Sequence, residues 1–452
     1  MAPETKSKRG FYYGWVIVAV AFIVISLVSP LGPIFQLFYQ ALKDQFQWSH
    51  ASISGVYSVH QLINGMASPL VGWLLDRFGP RRMMPLGALI LGLALAASSQ
   101  IMALWQLYLI FGVIAALGVS MLQSVPNTVV ISNWFVRNRG AAIGLALSGS
   151  GLGQLALTPL TQWMIVNYGW RAAYLALAPL LLLVPLALVL AFLHHRPSDK
   201  GLSVDGESEW KRQKSKWEVV VLDKEWAESE WTLKKAMCAF RFWVMALMTF
   251  AFAASFFLIS SQLFVLTQEV GEFQASSIIV AFIIGAAGLY KGVAKFIGGV
   301  IADRLGREKT ATIGVGLILI GIFTLDQVQA HPSSWLLLAA TLLYGTGYGV
   351  AMLAIMAAYA DLFQGARFGS ILGVLTLVGL IGGAMGTGLG GYLRDLTGGY
   401  QFNLWTAAIG FAAAVALMWG ARPSRVRSMR KISKGIEAVG VRSAATESHN
   451  IG

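Results

Sequence analysis

The sequence predicts an all-α membrane protein in which twelve transmembrane helices form two halves of six. Three observations predict it: a hydrophobic composition with little charge, an uneven distribution of lysine and arginine between loops, and a charged turn that occurs twice. Hydrophobic residues make up 56% of the 452 residues, charged residues make up 12%, and the mean hydropathy is +0.65. Soluble domains carry roughly 25% charged residues. The composition therefore favours a multi-pass membrane protein.

Twelve apolar stretches are long enough to cross a hydrocarbon core of about 30 Å. They lie at about residues 14–41, 52–75, 83–101, 104–132, 141–167, 172–195, 241–268, 275–301, 310–328, 334–360, 370–393 and 401–421. The expected organisation is an N-terminal segment 1–13, a first half 14–195, a linker 196–240, a second half 241–421 and a tail 422–452. Tryptophans among lysines predict an interfacial amphipathic helix in the linker, and the tail is expected to be disordered.

Lysine and arginine predict the orientation of the helices. If the N-terminus is cytoplasmic, 29 of the 34 basic residues fall in cytoplasmic segments. The outer loops then hold only Lys43, Arg171 and Arg394, and the membrane holds Lys291 and Lys295. Cytoplasmic loops of membrane proteins carry this excess of positive charge. Both termini are therefore predicted to be cytoplasmic, and the net charge of +13 does not indicate nucleic-acid binding.

A charged turn occurs once in each half, and we call the two copies the signature turns. The first copy contains Gly72, Asp76, Arg77, Gly79 and Arg81. The second contains Gly299, Asp303, Arg304 and Gly306, with an offset of 227 residues. A weaker echo relates Arg139 to Arg367, each after the fourth stretch of its half. Doubled halves with a binding site at their interface are a transporter architecture.

The residue types of the signature turns have a physical reading. A carboxylate at a helix end, such as Asp76 or Asp303, can bind arginines or the N-terminus of a neighbouring helix. Gly79 and Gly306 are expected to adopt backbone angles that other residues avoid.

Two lysines lie deep in the eighth apolar stretch. At 1.5 Å of rise per residue, Lys295 lies about 12 Å from the second signature turn and Lys291 about 18 Å from it. They share one helix face and bracket the midplane of the membrane, too deep to reach lipid headgroups. Apolar stretches hold no acidic residue at this depth. We therefore expect Lys295 first, and Lys291 second, to bind an anionic substrate.

Other polar residues inside the apolar stretches are weaker candidates for substrate contacts. They are Tyr57, His60, Asn64, Gln123, Asn127, Gln262, Tyr344 and Tyr348. Each could bond a substrate or bridge two helices. His60 could also carry a proton, and the two lysines are coupling candidates because an anion bound beside them would favour proton uptake.

The signature turns are similar to the signature loop of the major facilitator superfamily. The segments 12–15, 133–144 and 231–236 with Phe242 and Trp243 resemble its bacterial monocarboxylate-porter and oxalate:formate-exchanger branch. The resemblance implies that the signature turns latch the halves together on the cytoplasmic side when the site faces outward. It also implies a substrate-binding arginine at the position of Lys295, which keeps the charge but lacks the planar fork. The second cation of the exchangers, on the eleventh helix, is absent between Ser370 and Tyr392.

The sequence thus predicts a secondary transporter for a small organic anion, most simply a monocarboxylate such as lactate or pyruvate. We expect proton symport by alternating access in a bacterial inner membrane. The expected partners are the anion, a proton and the lipid bilayer, without cofactor, metal or nucleic acid, and a monomer is compatible with the sequence. The chain is not predicted to be an enzyme, since no nucleotide-binding loop, metal cluster or catalytic triad is found.

Three alternatives stay open at this point. Exchange of a dicarboxylate such as oxalate is favoured by two positive charges. A receptor that binds an anion without moving it is a second alternative. A cationic-drug exporter ranks last, because such proteins usually need a carboxylate at midplane depth.

Overall fold

The computed structural model describes residues 12–48, 50–206, 217–270, 277–330, 334–365, 367–397, 399 and 401–431. Most of these residues are helical. The helices are α1 Gly14–Val28, α2 Leu31–Phe46, α3 His50–Phe78, α4 Pro80–Ser98, α5 Leu104–Leu107, α6 Ala116–Ser120, α7 Ser124–Trp134, α8 Arg139–Phe192, α9 Lys224–Glu228, α10 Leu233–Met237, α11 Phe240–Val270, α12 Ser277–Leu305, α13 Arg307–Ala330, α14 Ser334–Phe363, α15 Phe368–Thr397 and α16 Gln401–Ala421. A π-helical segment, Tyr108–Ala115, joins α5 to α6.

The structure has two helix breaks that bear on the predicted stretches. One divides a predicted stretch, and the other lies close to a predicted boundary. The predicted first stretch is divided at Ser29 and Pro30 into α1 and α2. Proline lacks the N–H that a continuous helix needs, so a bend at this point is expected on physical grounds. In α8 the backbone leaves helical angles at Gly169, which separates two arms close to the predicted boundary between the fifth and sixth stretches.

The two halves pack against each other through two related helix pairs. The most extensive contacts across the halves join α8 to α12 and α3 to α15. We call these the α8–α12 junction and the α3–α15 junction. Among the described residues, eight helices are long and apolar enough to cross a membrane. The count of twelve spans and the cytoplasmic termini stay predictions.

Both signature turns lie at one end of the bundle, which we call the signature face. The first turn joins α3 to α4 and the second joins α12 to α13. Gly79 has φ +73° and Gly306 has φ +92°, so both turns have the backbone angles that the sequence predicted. A residue with a Cβ atom adopts this region only at a cost.

The linker and the tail form a small sheet, which the sequence did not predict. Strand β1, Trp217–Val221, pairs antiparallel with strand β2, Arg427–Lys431. The described part of the linker holds only the five-residue helices α9 and α10, two 3₁₀ turns and β1. An interfacial helix longer than five residues is absent from this part. Residues 423–431 of the tail hold a 3₁₀ turn and strand β2. Residues 1–11, 207–216 and 432–452 lie outside the described residues.

Two tryptophans of the linker, Trp226 and Trp231, contact the end of α14. The Trp226 indole N–H donates to the Leu362 carbonyl at 2.8 Å. The Trp231 ring meets Phe363 edge-on, with ring centroids 5.4 Å apart. Leu362 and Phe363 are the last residues of α14, so these contacts fix the linker to the second half.

Alanine at Gly306 is expected to destabilise the protein, and alanine at Gly316 is not. Gly306 has a positive φ, where a Cβ atom costs about 1–2 kcal/mol. Gly316 lies inside α13 with open space around the position of a Cβ atom, and alanine in a helix is favoured by about 0.5–1 kcal/mol. Thermal unfolding of the two purified variants measures this contrast. Equal unfolding temperatures would contradict the role assigned to the Gly306 backbone.

Candidate substrate site and the contacts between the halves

Lys295 lies at the α8–α12 junction and binds a neutral partner. Its Nζ donates to the Ser150 Oγ at 2.9 Å. The Ser150 hydroxyl donates its own proton to the Leu147 carbonyl at 2.8 Å. A hydroxyl has one proton and two lone pairs, so the lone pairs remain for the ammonium group. The lysine charge is therefore solvated by a dipole and not neutralised.

No carboxylate lies within ion-pair distance of Lys295 or Lys291 among the described residues. Lys291 lies one helical turn from Lys295 and is half-buried. A permanent ion pair would be the simplest structural role for a lysine at this position in a helix. Neither lysine forms one with a described residue. Buried charges without a partner are rare in proteins because of their desolvation cost.

A cavity of about 300 Å³ lies between the halves. It brings together five of the predicted polar residues, which are Tyr57, His60, Asn64, Gln123 and Tyr348. Lys291 and Lys295 are not among its described lining residues. The lysine helix is close nevertheless, since the Lys295 backbone packs on Gly349 of α14, the residue that follows Tyr348.

The first-half wall of the cavity is polar. His60 is buried, and its Nδ1 lies 2.9 Å from the Phe111 carbonyl oxygen, which can only accept a hydrogen bond. The imidazole Nδ1 therefore carries the proton of this bond. The Asn64 side-chain amide donates to the Gln123 Oε1 at 3.3 Å, which links α3 to the segment before α7.

The second-half wall is mainly aromatic. The Tyr348 ring stacks on Phe256 with centroids 3.8 Å apart. Thr249 and Tyr359 share a hydrogen bond of 2.5 Å between their hydroxyl groups. Sequence reasoning missed Thr249, Tyr359 and Phe256, because a threonine or aromatic residue in an apolar stretch carries no signal that separates a cavity wall from a packed core.

Two predicted contacts lie away from the cavity, and a third cannot be placed. The Asn127 side-chain amide donates to the carbonyls of Leu122 and Gln123 at 2.7 and 2.6 Å, where it stabilises the start of α7. The Tyr344 hydroxyl donates to the Phe256 carbonyl at 2.9 Å, which joins α14 to α11. The side chain of Gln262 lies outside the described residues.

At the signature face, each aspartate of a signature turn caps a helix of the other half. Asp303 accepts hydrogen bonds from the backbone N–H groups of Gly140 at 2.9 Å and Ala141 at 2.7 Å, in the first turn of α8. Asp76 accepts from the N–H groups of Gly369 at 3.0 Å and Ser370 at 2.8 Å, in the first turn of α15. These contacts match the interpretation of both carboxylates as partners of a helix N-terminus.

Glycine at the first position of each signature turn permits this close approach. A Cβ atom on Gly72 would lie 2.1 Å from the Gly369 carbonyl oxygen. A Cβ atom on Gly299 would lie 2.1 Å from the Gly140 carbonyl oxygen. Both distances are far below van der Waals contact, so each junction closes only with glycine at this position.

The α8–α12 junction also contains a buried ionic network. Arg139 of the first half binds the Asp361 Oδ1 of the second half at 2.8 Å. Arg307 binds the Asp361 Oδ2 at 2.8 Å and the Asp303 Oδ1 at 2.7 Å. Arg139 is fully buried. The echo between Arg139 and Arg367 was the sequence signal for this arginine, and nothing in the sequence paired it with Asp361.

The cations beside the signature aspartates do not reach across the halves. The Arg77 guanidinium lies over the Trp73 ring, 5.2 Å from its centroid. Arg81 donates to the Leu190 carbonyl at 2.7 Å, within the first half. Arg304 is exposed at the rim of the signature face.

Comparison with known proteins agrees with this arrangement. The family profile of the Major Facilitator Superfamily matches residues 14–290 and 245–439. The chain belongs to the major facilitator superfamily. It is a secondary transporter in a membrane that it crosses several times, and not an enzyme.

Named relatives and a solved structure support the assignment to this superfamily. Monocarboxylate transporter 13 of Rattus norvegicus is 25% identical over 396 residues, which cover 87% of this chain and 86% of that protein. Monocarboxylate transporter 11 of Homo sapiens is 28% identical over 425 residues, with 88% and 81% covered. The structure of the proton:xylose symporter XylE bound to 6-bromo-6-deoxy-D-glucose is similar in fold, with a TM-score of 0.67, 15% identity, and 90% and 95% of the chains covered.

Removal of the hydroxyl group of Tyr344 and of Tyr348 is expected to have different consequences. Tyr344→Phe removes a buried hydrogen bond to Phe256, so we expect a loss of about 1 kcal/mol of folding free energy. Tyr348→Phe keeps the stacking on Phe256 and changes only the cavity wall, so stability should be unchanged. Unfolding temperatures of both variants measure the difference. Equal destabilisation by both substitutions would place the Tyr348 hydroxyl in the packed core.

Proposed function

We propose that the protein carries a monocarboxylate such as lactate or pyruvate together with a proton, by alternating access. The observation that carries the proposal is the ammonium group of Lys295, which binds a neutral hydroxyl group and, among the described residues, forms no ion pair with a carboxylate. A carboxylate binds an ammonium group more strongly than a hydroxyl does. A substrate carboxylate can therefore displace Ser150 and take the position of the missing counter-charge. The similarity to mammalian monocarboxylate transporters supports a monocarboxylate.

The polar and aromatic cavity is proposed to hold the remainder of the substrate. Tyr57, Asn64, Gln123 and Tyr348 provide hydrogen-bonding groups in its wall. Most ligand sites combine an apolar lining with a few such groups. Lys291, one turn from Lys295, is proposed to bind the same anion. We keep Lys295, Lys291 and His60 as the candidates for the coupled proton.

The signature face is proposed to be the cytoplasmic gate. In the present arrangement Asp76 and Asp303 hold both junctions closed at that face. Substrate would then enter from the opposite side, and release into the cytoplasm would require both carboxylates to leave the helix N-termini. The inward-facing state follows when the halves separate at Gly72 and Gly299. We place the protein in a bacterial cytoplasmic membrane, with both termini inside.

Uptake into proteoliposomes tests the role of Lys295. Labelled lactate and pyruvate should accumulate under an inward proton gradient, and Lys295→Gln should lower the initial rate at least about tenfold, because it removes a desolvated charge partner. Lys295→Arg restores the charge and should recover part of the rate. Lys224→Gln, on an exposed linker lysine, is the matched control and should transport normally.

The outcomes of this assay separate the alternatives. Wild-type rates in Lys295→Gln would contradict the proposed site. Uptake of oxalate only against an internal anion, lost in both Lys295→Gln and Lys291→Gln, would indicate a dicarboxylate exchanger. Binding of lactate without any uptake would indicate a receptor.

Cysteine accessibility tests the gate. Ser132 is fully buried at the α8–α12 side of the signature face, and its hydroxyl has no hydrogen-bond partner among the described residues. Ser132→Cys is made in a background in which the exposed Cys238 is replaced by serine. The new thiol is a reporter, because maleimide should reach it only when this face opens. Asp303→Asn weakens the cap of α8 and the ion pair with Arg307. It should therefore raise the rate of maleimide labelling in inside-out vesicles at least about tenfold.

The control for the gate is Asp326→Asn, near the opposite end of α13. It should leave labelling of the reporter unchanged. A labelling rate in Asp303→Asn equal to that of the parent would show that the aspartate does not hold the gate.

A further inference from the structure

The ordered part of the tail reaches the ionic network of the α8–α12 junction. The Ser424 N–H donates to the Glu308 Oε1 at 2.8 Å, beside the second signature turn. Val426 is fully buried, and its carbonyl accepts from the Leu222 N–H at 3.0 Å. Pairing of β1 with β2 then fixes the backbone of Arg427 opposite Val221. The tail is thus anchored to the second half by backbone and side-chain contacts.

Arg427 shares an acceptor with Arg139. The Gln364 Oε1 accepts from the Arg139 Nη2 at 2.6 Å and also from the Arg427 Nη1. The Gln364 Nε2 donates to the Ser132 carbonyl of the first half at 3.2 Å. One side-chain amide therefore contacts a guanidinium group of the first half and a guanidinium group of the tail.

Arg427 has an unused donor near Asp361. Its Nε is buried and has no hydrogen-bond partner among the described residues. Asp361 and Arg427 line the same cavity of about 380 Å³ at the signature face. Buried N–H groups in native proteins are nearly always bonded, so this donor is available for an acceptor in the same cavity.

The two partners of Asp361 would behave differently when the signature face opens. Arg307 belongs to the same half as Asp361 and would move with it. Arg139 belongs to the first half, so its bond to the Asp361 Oδ1 must break. The Asp361 Oδ1 then needs water or another cation, and removal of one partner from a buried ion pair costs free energy. Opening is therefore easier if another cation can take the vacated oxygen.

We propose that Arg427 is this cation: it replaces Arg139 on Asp361 when the halves part, and so lowers the free-energy cost of opening the signature face. The proposal rests on the proposed gate. In the closed arrangement Arg427 and Arg139 converge on Gln364, and the repulsion between the two like charges favours opening as well. Arg427 thus acts on transport as a positioning residue through Asp361, without contact with the substrate.

The Ser132→Cys reporter tests the proposal. Arg427→Gln removes the charge while it keeps a hydrogen-bonding side chain, and it should slow maleimide labelling from the cytoplasmic side about fivefold. Arg427→Lys keeps the charge and should label at nearly the parent rate. Arg425→Gln is the matched control, since Arg425 is exposed in the same tail segment and contacts neither Gln364 nor Asp361 among the described residues. In uptake assays Arg427→Gln should lower the maximal rate and leave the KM for external substrate unchanged.

Each outcome is decisive. Slow labelling in Arg427→Gln, with parent-like labelling in Arg427→Lys and Arg425→Gln, supports partner exchange. Unchanged or faster labelling in Arg427→Gln overturns it, and so does equally slow labelling in Arg427→Lys. The labelling rate of the reporter in Asp303→Asn tests the gate separately. A parent-like rate in that variant rejects the gate, whereas faster labelling there with no effect of Arg427→Gln rejects only the role of Arg427.

Discussion

The first-turn N–H groups of α8 and α15 determine how the two halves meet. The first four N–H groups of a helix have no partner within that helix. A carboxylate from the opposite half supplies partners for two of them at each junction, from Asp303 to α8 and from Asp76 to α15. Separation of the halves would break these hydrogen bonds, and the amides and carboxylates would then need water as their partner. Closure of the signature face is therefore held by charge-assisted hydrogen bonds, and helix packing supports them.

The two junctions are related by the repeat but differ in electrostatics. Asp76 binds backbone amides and the Ser370 hydroxyl, all uncharged. Asp303 also binds Arg307, and through Asp361 it is connected to Arg139. The first half has Pro80 at the position of Arg307 with the offset of 227, so the α3–α15 junction has no equivalent cation there. The ion pairs between described residues at the signature face therefore lie at the α8–α12 junction, which is also the junction that holds Lys295 and that the tail contacts.

Much of this fold follows from the sequence, because the constraints are strong. A membrane admits only helices or closed barrels, so hydropathy determines the class. A positive φ at Gly79 and Gly306 follows from residue type and turn position. The partners of Asp303 could be named as a helix N-terminus, but not as Gly140 and Ala141, since the choice among helices depends on how the halves pack.

The candidate site was less accessible to sequence reasoning, for a physical reason. The depth of Lys295 in its helix follows from its position in an apolar stretch, and its bond to Ser150 does not, because serines are frequent among the small residues of α8. Tryptophans in the linker were interpreted as lipid anchors, whereas Trp226 and Trp231 pack on the end of α14. An aromatic residue at a membrane surface suits either environment. Only the neighbouring surface decides between them.

The proposed substrate lysine and the proposed gate lie on the same pair of helices. On α12, Lys295 and Asp303 are eight residues apart, about 12 Å along the axis. On α8, Ser150 follows Gly140 by ten residues. A carboxylate that takes Lys295 from Ser150 removes one polar contact between α8 and α12 at their midpoint, while Asp303 still holds their ends. Under the proposed function, binding would thus weaken the junction that has to open next. A ligand shifts such an equilibrium only by its difference in affinity for the two states, and displacement of this hydroxyl would be a direct source of that difference.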